Sequence, residues 1–419
     1  MKRRRENEKI NDIFMNKFVP FLTKVGNNRY LAAIRDGISI TIPFTIIGSI
    51  FMIIGNLPIT GWDKIIKPYS SMLNAATNTT FGIIGLIGAI SLGYFFSKMH
   101  DIDRITGTII SLVCFLLATL NDKFTINIDN FGSTGLFSAI IVSLITIEIV
   151  AFFIRKNIVI KLPDSVPPAV GKSFEALIPA GVSIILFWCL RVLFNLDINS
   201  VITTIFKPFV FALNTLPGAV LIMFIILLLW FAGIHGNSLV GNLCLPFTMT
   251  YLTANAASFQ AGQIPQYINA EGFYYFGMGL GGTGTTIGLA IAIAFFAKSK
   301  RYKTIGKLTL LPACFGINEP IIFGLPIVLN PVLFVPFIFT PIILQIITWF
   351  LMSFNIIGHV VTSIPWTTPP ILSGFLVTGG NINAAIWQAI EVVLAVIAYL
   401  PFFKILDNQE LLAEKNENK

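Results

Sequence analysis

Leu308-Thr309-Leu310-Leu311-Pro312-Ala313-Cys314-Phe315-Gly316-Ile317-Asn318-Glu319-Pro320-Ile321-Ile322-Phe323-Gly324-Leu325-Pro326 is the stretch on which the fold turns. Between Lys307 and Glu391 lie 83 residues, and Glu319 is the only Asp, Glu, Lys or Arg among them. A carboxylate among apolar residues is costly to bury before partners are counted, and at membrane depth such a group usually lines a pathway or a binding cavity. The segment is apolar, yet Pro312, Gly316, Pro320, Gly324 and Pro326 argue against one continuous helix. Proline removes a backbone donor and clashes with the preceding turn. Non-helical backbone is tolerated in a bilayer where it is buried in protein or lines a wet cavity. The reading is a re-entrant hairpin over 308–327. Residues 358–380, with Pro365, Pro369, Pro370, Gly374, Gly379 and Gly380, read as a second.

Composition supports a lipid-embedded chain. Of 419 residues, 55% are hydrophobic and 11% charged, against roughly 25% charged in a soluble protein. Length alone suggests two or three soluble domains, but so few charges cannot cover a water-exposed surface. Uncharged runs at 37–62, 68–97, 208–270, 272–297 and 320–390 each reach the ~20 residues that span a bilayer as a helix. The fold class is therefore all-α integral membrane. Ten crossings are expected, near 38–57, 80–97, 105–120, 135–154, 177–194, 216–234, 240–256, 276–297, 328–353 and 384–403.

With both termini in the cytoplasm, every Lys and Arg except Lys64, Lys67, Lys123, Arg191 and Lys207 falls on the cytoplasmic side, as the positive-inside bias requires. The net charge of +8 thus follows topology and does not call for nucleic acid. The basic segment 1–37 precedes an apolar run with no clear small-residue cleavage site, so no cleavable signal peptide is expected. A scaffold region over 38–198, an interfacial linker helix over 199–213 and a transport region over 214–403 follow, then a cytoplasmic tail over 404–419. Cys114, Cys189, Cys244 and Cys314 are scattered through apolar segments. No metal or cofactor is expected from them.

Broken helices present unpaired N–H and C=O groups and commonly bind polar solutes at the bilayer midplane. Gly316-Ile317-Asn318-Glu319-Pro320 offers an amide and a carboxylate; Gly233-Ile234-His235-Gly236-Asn237-Ser238 offers an imidazole and an amide. With no Arg or Lys in either, they suit the hydroxyls of a neutral, polyhydroxylated solute. Glu319 and His235 are also competent to move a proton off a hydroxyl, or each holds its helix end in shape. Trp366 is either an interfacial anchor or a surface on which a sugar ring stacks. Glu175 is either a solvated first-turn acid or a cavity contact. His100, beside Asp101 and Asp103, reads as solvated. Gly279-Leu280-Gly281-Gly282-Thr283-Gly284 fits a dinucleotide loop by spacing, but no strand precedes it, and close helix packing by small residues is the better account.

The segment from Gly316 to Pro326, followed by Asn330-Pro331, resembles the signature of membrane IIC permeases of the phosphoenolpyruvate-dependent phosphotransferase system, in the lactose/cellobiose/diacetylchitobiose branch. Gly233-Ile234-His235-Gly236, Ser165-Val166-Pro167-Pro168-Ala169-Val170 before Phe174, and Asn27 to Gly37 agree. The resemblance spans about residues 12–405. It implies a homodimer of ten-helix subunits in the bacterial plasma membrane, with an N-terminal dimerisation half and a C-terminal substrate-binding half that carries two hairpins. The 6-hydroxyl of a β-linked disaccharide would meet His235 and Glu319. From the residues alone, Asn318, Gly236, Asn237, Trp366 and Glu175 are the further candidate contacts. A phosphocysteine on a separate IIB protein would donate the phosphoryl group. Competing readings are a proton-coupled secondary sugar transporter with Glu319 as coupling site, and a sugar facilitator or channel.

Overall fold

The computed structural model describes residues 28–56, 61–163, 171, 174–325 and 327–417. The Ser165 to Val170 match and residues 1–27 of the basic N-terminal segment lie outside them. Among the described residues the regular structure is helical: α1 (Arg29–Ser39), α2 (Ile42–Gly55), α3 (Trp62–Ile66), α4 (Ser70–Asn78), α5 (Ile84–Met99), α6 (Arg104–Ala118), α7 (Ser133–Arg155), α8 (Leu177–Trp188), α9 (Ile198–Leu213), α10 (Leu216–Phe231), α11 (Asn242–Gln260), α12 (Thr286–Phe296), α13 (Lys300–Cys314), α14 (Glu319–Gly324), α15 (Pro331–Ser353), α16 (Leu372–Val377) and α17 (Ile382–Glu417). Lipid offers no hydrogen-bond partners, so a chain this apolar closes its backbone bonds within helices. Arg29–Gly55, Lys64–Met99, Gly135–Arg155, Pro331–Ser353 and Ile382–Asn416 are long and apolar enough to cross a membrane. Leu177–Leu193 and Ile198–Leu213 form a further apolar pair bent by 90°, and α6, α10 and α12 are shorter apolar helices. The chain is a multi-pass helical membrane protein.

The helices group into two compact units. The first takes the described residues up to Phe51, Ser71–Ala212 and Asn242–Ala261. Its centre is α5, packed against α1, α6 and α7. Small residues allow the close approach: a Cβ on Gly37 would lie 2.8 Å from Leu92, and one on Gly93 would lie 2.8 Å from Ser111. Ser111 and Ser143 join α6 to α7 by a 2.7 Å hydroxyl bond, as expected where packing and interhelical polar contacts hold apolar helices together. Arg191 is 1% exposed. Its guanidinium reaches the Leu120 carbonyl at 2.9 Å, Asn195 at 3.2 Å and Asp122 at 3.1 Å. His100 departs from the solvated reading. Its side chain is 6% exposed because Glu148 on α7 takes its Nε2 at 2.6 Å, while Tyr30 donates to the same carboxylate oxygen at 2.9 Å.

The second unit takes the described residues of Met52–Ser70, Leu213–Gly241 and Gly262–Lys419. Within it α12 packs on α13 and α17, α10 on α15, and α15 and α16 on α17. Three stretches differ from the sequence reading. Only Thr286–Phe296 of the expected crossing 276–297 is an α-helix. Ahead of it Gly277, Gly281, Gly282, Gly284 and Thr285 all take positive φ, a conformation that ends helices. The expected hairpin 308–327 is helical through Cys314, because α13 absorbs Pro312 near its end, where little helix remains to disrupt. The break falls at 315–318, and α14 follows. Residues 404–417, expected as a charged tail, continue α17 as helix. Asp407 accepts the Lys298 and Ser299 N–H groups at 2.8 and 3.0 Å, and Glu414 accepts those of Lys300 and Arg301 at 2.7 and 3.2 Å. These carboxylates satisfy the N–H groups that open α13, where the helix dipole also favours negative charge.

Candidate functional site

The two loops singled out in the sequence are built by one local device. Gly233 follows α10 with φ +81°; its N–H donates to Trp230 at 2.9 Å, and that of Ile234 to Leu229 at 2.8 Å. Gly316 follows α13 with φ +75°; its N–H donates to Ala313 at 3.1 Å, and that of Ile317 to Pro312 at 3.0 Å. A left-handed glycine with these two back-bonds satisfies the last carbonyls of a helix and turns the chain sharply away. His235 comes two residues after one such glycine and Glu319 three after the other. In both places a new helix begins at once. Gly-Ile-His and Gly-Ile-Asn-Glu are therefore broken-helix junctions, with the polar side chain at the break.

His235 is exposed, and its ring packs on Trp230 with centroids 4.4 Å apart. Its Nδ1 lies 3.2 Å from the Ser238 N–H nitrogen and 2.8 Å from the Ser238 hydroxyl. Gly236 is buried against α10: a Cβ there would sit 2.4 Å from the Ile226 carbonyl. Asn237 accepts at Oδ1 from the Trp230 indole and from the Thr283 hydroxyl, each at 3.3 Å. Asn318 is 4% exposed and donates its amide to the Thr283 main-chain carbonyl at 2.8 Å. Glu319, the first residue of α14, is exposed and makes no hydrogen bond or ion pair among the described residues. Thr283 thus ties the His235 loop and the Glu319 loop to one support.

Trp366 is 61% exposed and sits beside the same junction, its carbonyl 3.2 Å from where a Cβ on Gly316 would stand. Glu175 belongs to the first unit, where it lines a cavity of about 550 Å³ with Tyr94, Asp101, Asp103 and Arg104.

Sequence reasoning set aside the glycine-rich segment that contains Thr283, and the structure gives that segment a purpose other than close helix packing. Its loop, 277–285, has few helical bonds of its own, and side chains from spanning helices supply partners. Glu391 accepts the Gly277 N–H at 3.1 Å, and Gln345 accepts that of Met278 at 3.3 Å. Tyr399 donates to the Gly284 carbonyl at 2.5 Å. Gln388 does the same for the start of α16, accepting from Ile371 at 2.6 Å and Gly374 at 2.7 Å. Buried irregular backbone must be satisfied in this way. The available signal was Gln345, Gln388 and Glu391 standing inside apolar runs, a pattern that marks internal polar contacts.

Broken helices with polar junctions, in a unit of membrane-spanning helices, define a multi-pass membrane protein of the solute-handling type. Comparison makes this specific. The family model for the phosphotransferase system, EIIC, matches residues 35–341. The chain is 38% identical to the lichenan permease IIC component of Bacillus subtilis (strain 168), over 97% of this chain and 96% of that one. It is 34% identical to the cellobiose-specific EIIC component of Geobacillus stearothermophilus, over 96% and 95%. The crystal structure of the transporter ChbC, the IIC component from the N,N'-diacetylchitobiose-specific phosphotransferase system, superposes with a TM-score of 0.90 at 36% identity, covering 96% of this chain and 99% of that one. The chain belongs to the phosphotransferase-system EIIC family.

Proposed function

We propose that the chain is a sugar permease that carries a β-linked disaccharide of the cellobiose, diacetylchitobiose or lactose type across the bacterial plasma membrane and presents its 6-hydroxyl for phosphorylation by a separate phosphocysteine IIB protein. The observation that carries this reading is the joint support of the His235 and Glu319 junctions by Thr283. Two exposed polar groups on adjoining broken helices suit a hydroxyl that must be both held and deprotonated. Asn318, Gly236 and Asn237 shape those junctions, and Trp366 offers a ring face beside them. Glu175 is proposed as a further sugar-facing residue. Relatives named for lichenan and cellobiose support the β-glycoside class.

In this proposal ten crossings place both termini in the cytoplasm, 38–198 forms the dimerisation region of a homodimer, 199–213 is an interfacial linker helix, and 214–403 carries the sugar. Glu319 takes the hydroxyl proton as the oxygen attacks phosphorus and the IIB sulfur leaves. Phosphorylation then traps the product inside. The test uses membrane vesicles containing the chain and labelled cellobiose. Sugar phosphate is expected only when phosphorylated IIB is supplied. Accumulation of unmodified cellobiose driven by a proton gradient without IIB would instead make the chain a secondary transporter.

A further inference from the structure

His235 occupies the position of a helix cap. It precedes the helical run that starts at Gly236, and its Nδ1 lies 3.2 Å from the main-chain nitrogen of Ser238, three residues on. That is the spacing at which capping side chains accept a first-turn N–H, which here is shared with the His235 carbonyl at 3.1 Å. A backbone N–H can only donate, so its contact with Nδ1 favours a lone pair there, and the neutral ring then carries its proton on Nε2. The Ser238 hydroxyl lies 2.8 Å from the same nitrogen and can donate to that lone pair. Trp230 packs on the ring at 4.4 Å while its indole N–H holds Asn237 at 3.3 Å. Ring position and proton position are fixed together.

We propose that Ser238 is a positioning residue that locks His235 in the Nε2–H tautomer, so that His235 meets the sugar hydroxyl as a hydrogen-bond donor and Glu319 alone receives the proton. The assignment rests on the reading of His235 and Glu319 as the hydroxyl-binding pair. In the transfer step the hydroxyl oxygen forms the bond to phosphorus, the S–P bond of the phosphocysteine breaks, and sulfur leaves as thiolate. The hydroxyl proton passes to the Glu319 carboxylate. The Nε2–H of His235 steadies the negative charge that grows on the attacking oxygen.

Two substitutions separate the two sides of the ring. In His235→Asn the side-chain oxygen takes the place of Nδ1 and keeps the cap, but nothing replaces Nε2–H. In His235→Gln the amide N–H reaches toward the Nε2 position and the cap is lost. The purified full-length variants in detergent should therefore rank in opposite orders. H235N is expected to melt within a few degrees of the unsubstituted protein and to bind cellobiose at least tenfold more weakly. H235Q should melt lower and bind more tightly than H235N. H235Q binding cellobiose no better than H235N overturns the proposal. A second measurement needs neither sugar nor phosphoryl donor, so it stands whether or not the chain phosphorylates anything. Nitrogen NMR of histidine-labelled protein, with the His235 signals assigned by their loss in H235N, should show the proton on Nε2. A proton on Nδ1 overturns the proposal even if sugar phosphorylation is confirmed.

Discussion

Asn318 donates its side-chain amide to the main-chain carbonyl of Thr283 at 2.8 Å, in the buried interior of the second unit. The bond fixes the residue just before Glu319 to the loop whose hydroxyl also reaches Asn237. The contact is close: a Cβ on Gly282, beside Thr283, would stand 2.5 Å from the Asn318 side chain. Asn318→Asp sets a carboxylate oxygen against that carbonyl and leaves a buried acceptor without its donor, at a cost of about 1–3 kcal/mol. The variant should melt at a lower temperature in detergent and bind cellobiose more weakly, because the Glu319 junction loses its anchor. Unchanged melting and affinity would remove Asn318 from this role.

The glycine at the second junction gives a sharper test. Gly316 holds φ +75°, and a Cβ there would lie 3.2 Å from the Trp366 carbonyl. Gly316→Ala should cost about 1–2 kcal/mol from the left-handed backbone alone. Gly324, eight residues on, is the control: a Cβ there would have no atom within 4 Å, and its φ is not positive. Gly324→Ala should leave the melting temperature unchanged or raise it. Equal effects of the two substitutions would contradict the helix-end account of Gly316.

Much of this was legible in the residues. A lone carboxylate among 83 apolar and polar residues, and a lone imidazole at the end of an apolar run, both mark broken helices, because charge is expensive in lipid and must have a use. Pro312, Gly316 and Pro320 announced the break, but not that α13 would stay helical through Pro312. The spacing of proline constrains where a helix ends only to within a turn. Thr283 could not be read at all. A threonine among glycines carries no periodicity, and its importance comes from Asn237 and Asn318, which lie 46 and 35 residues away in the chain. His100 was misread because Asp101 and Asp103 beside it suggested a solvated loop. Its partner, Glu148, is 48 residues distant.

Glu391 was no more than the boundary of an uncharged run in the sequence, yet it is fully buried. One carboxylate oxygen accepts from the Gly277 N–H at 3.1 Å and from the Thr348 hydroxyl at 2.9 Å. Thr348 has the Leu344 carbonyl as a second partner at 2.9 Å, so the bond at risk is that of Gly277. Glu391→Leu should leave the Gly277 N–H buried and unpaired, costing about 1–3 kcal/mol. Glu391→Gln keeps an oxygen for that N–H and should melt closer to the unsubstituted protein. If Glu391→Leu is as stable as Glu391→Gln, the carboxyl does not support the glycine-rich loop.

Glu319 stands apart from these supports. It is exposed and has no hydrogen-bond or ion-pair partner among the described residues, so none of them pairs with its charge. Glu319→Gln preserves its shape and should leave the melting temperature unchanged. The amide still reaches a sugar hydroxyl, so cellobiose affinity should fall less than about tenfold, the loss of one charge-assisted hydrogen bond. Proton removal is what the amide cannot do. General-base groups contribute about 100- to 10,000-fold to rate, so IIB-dependent phosphorylation should drop by that factor while binding persists. The split between binding and turnover is diagnostic. A group that merely shaped the junction would lose both together with stability, and a group irrelevant to the chemistry would lose neither.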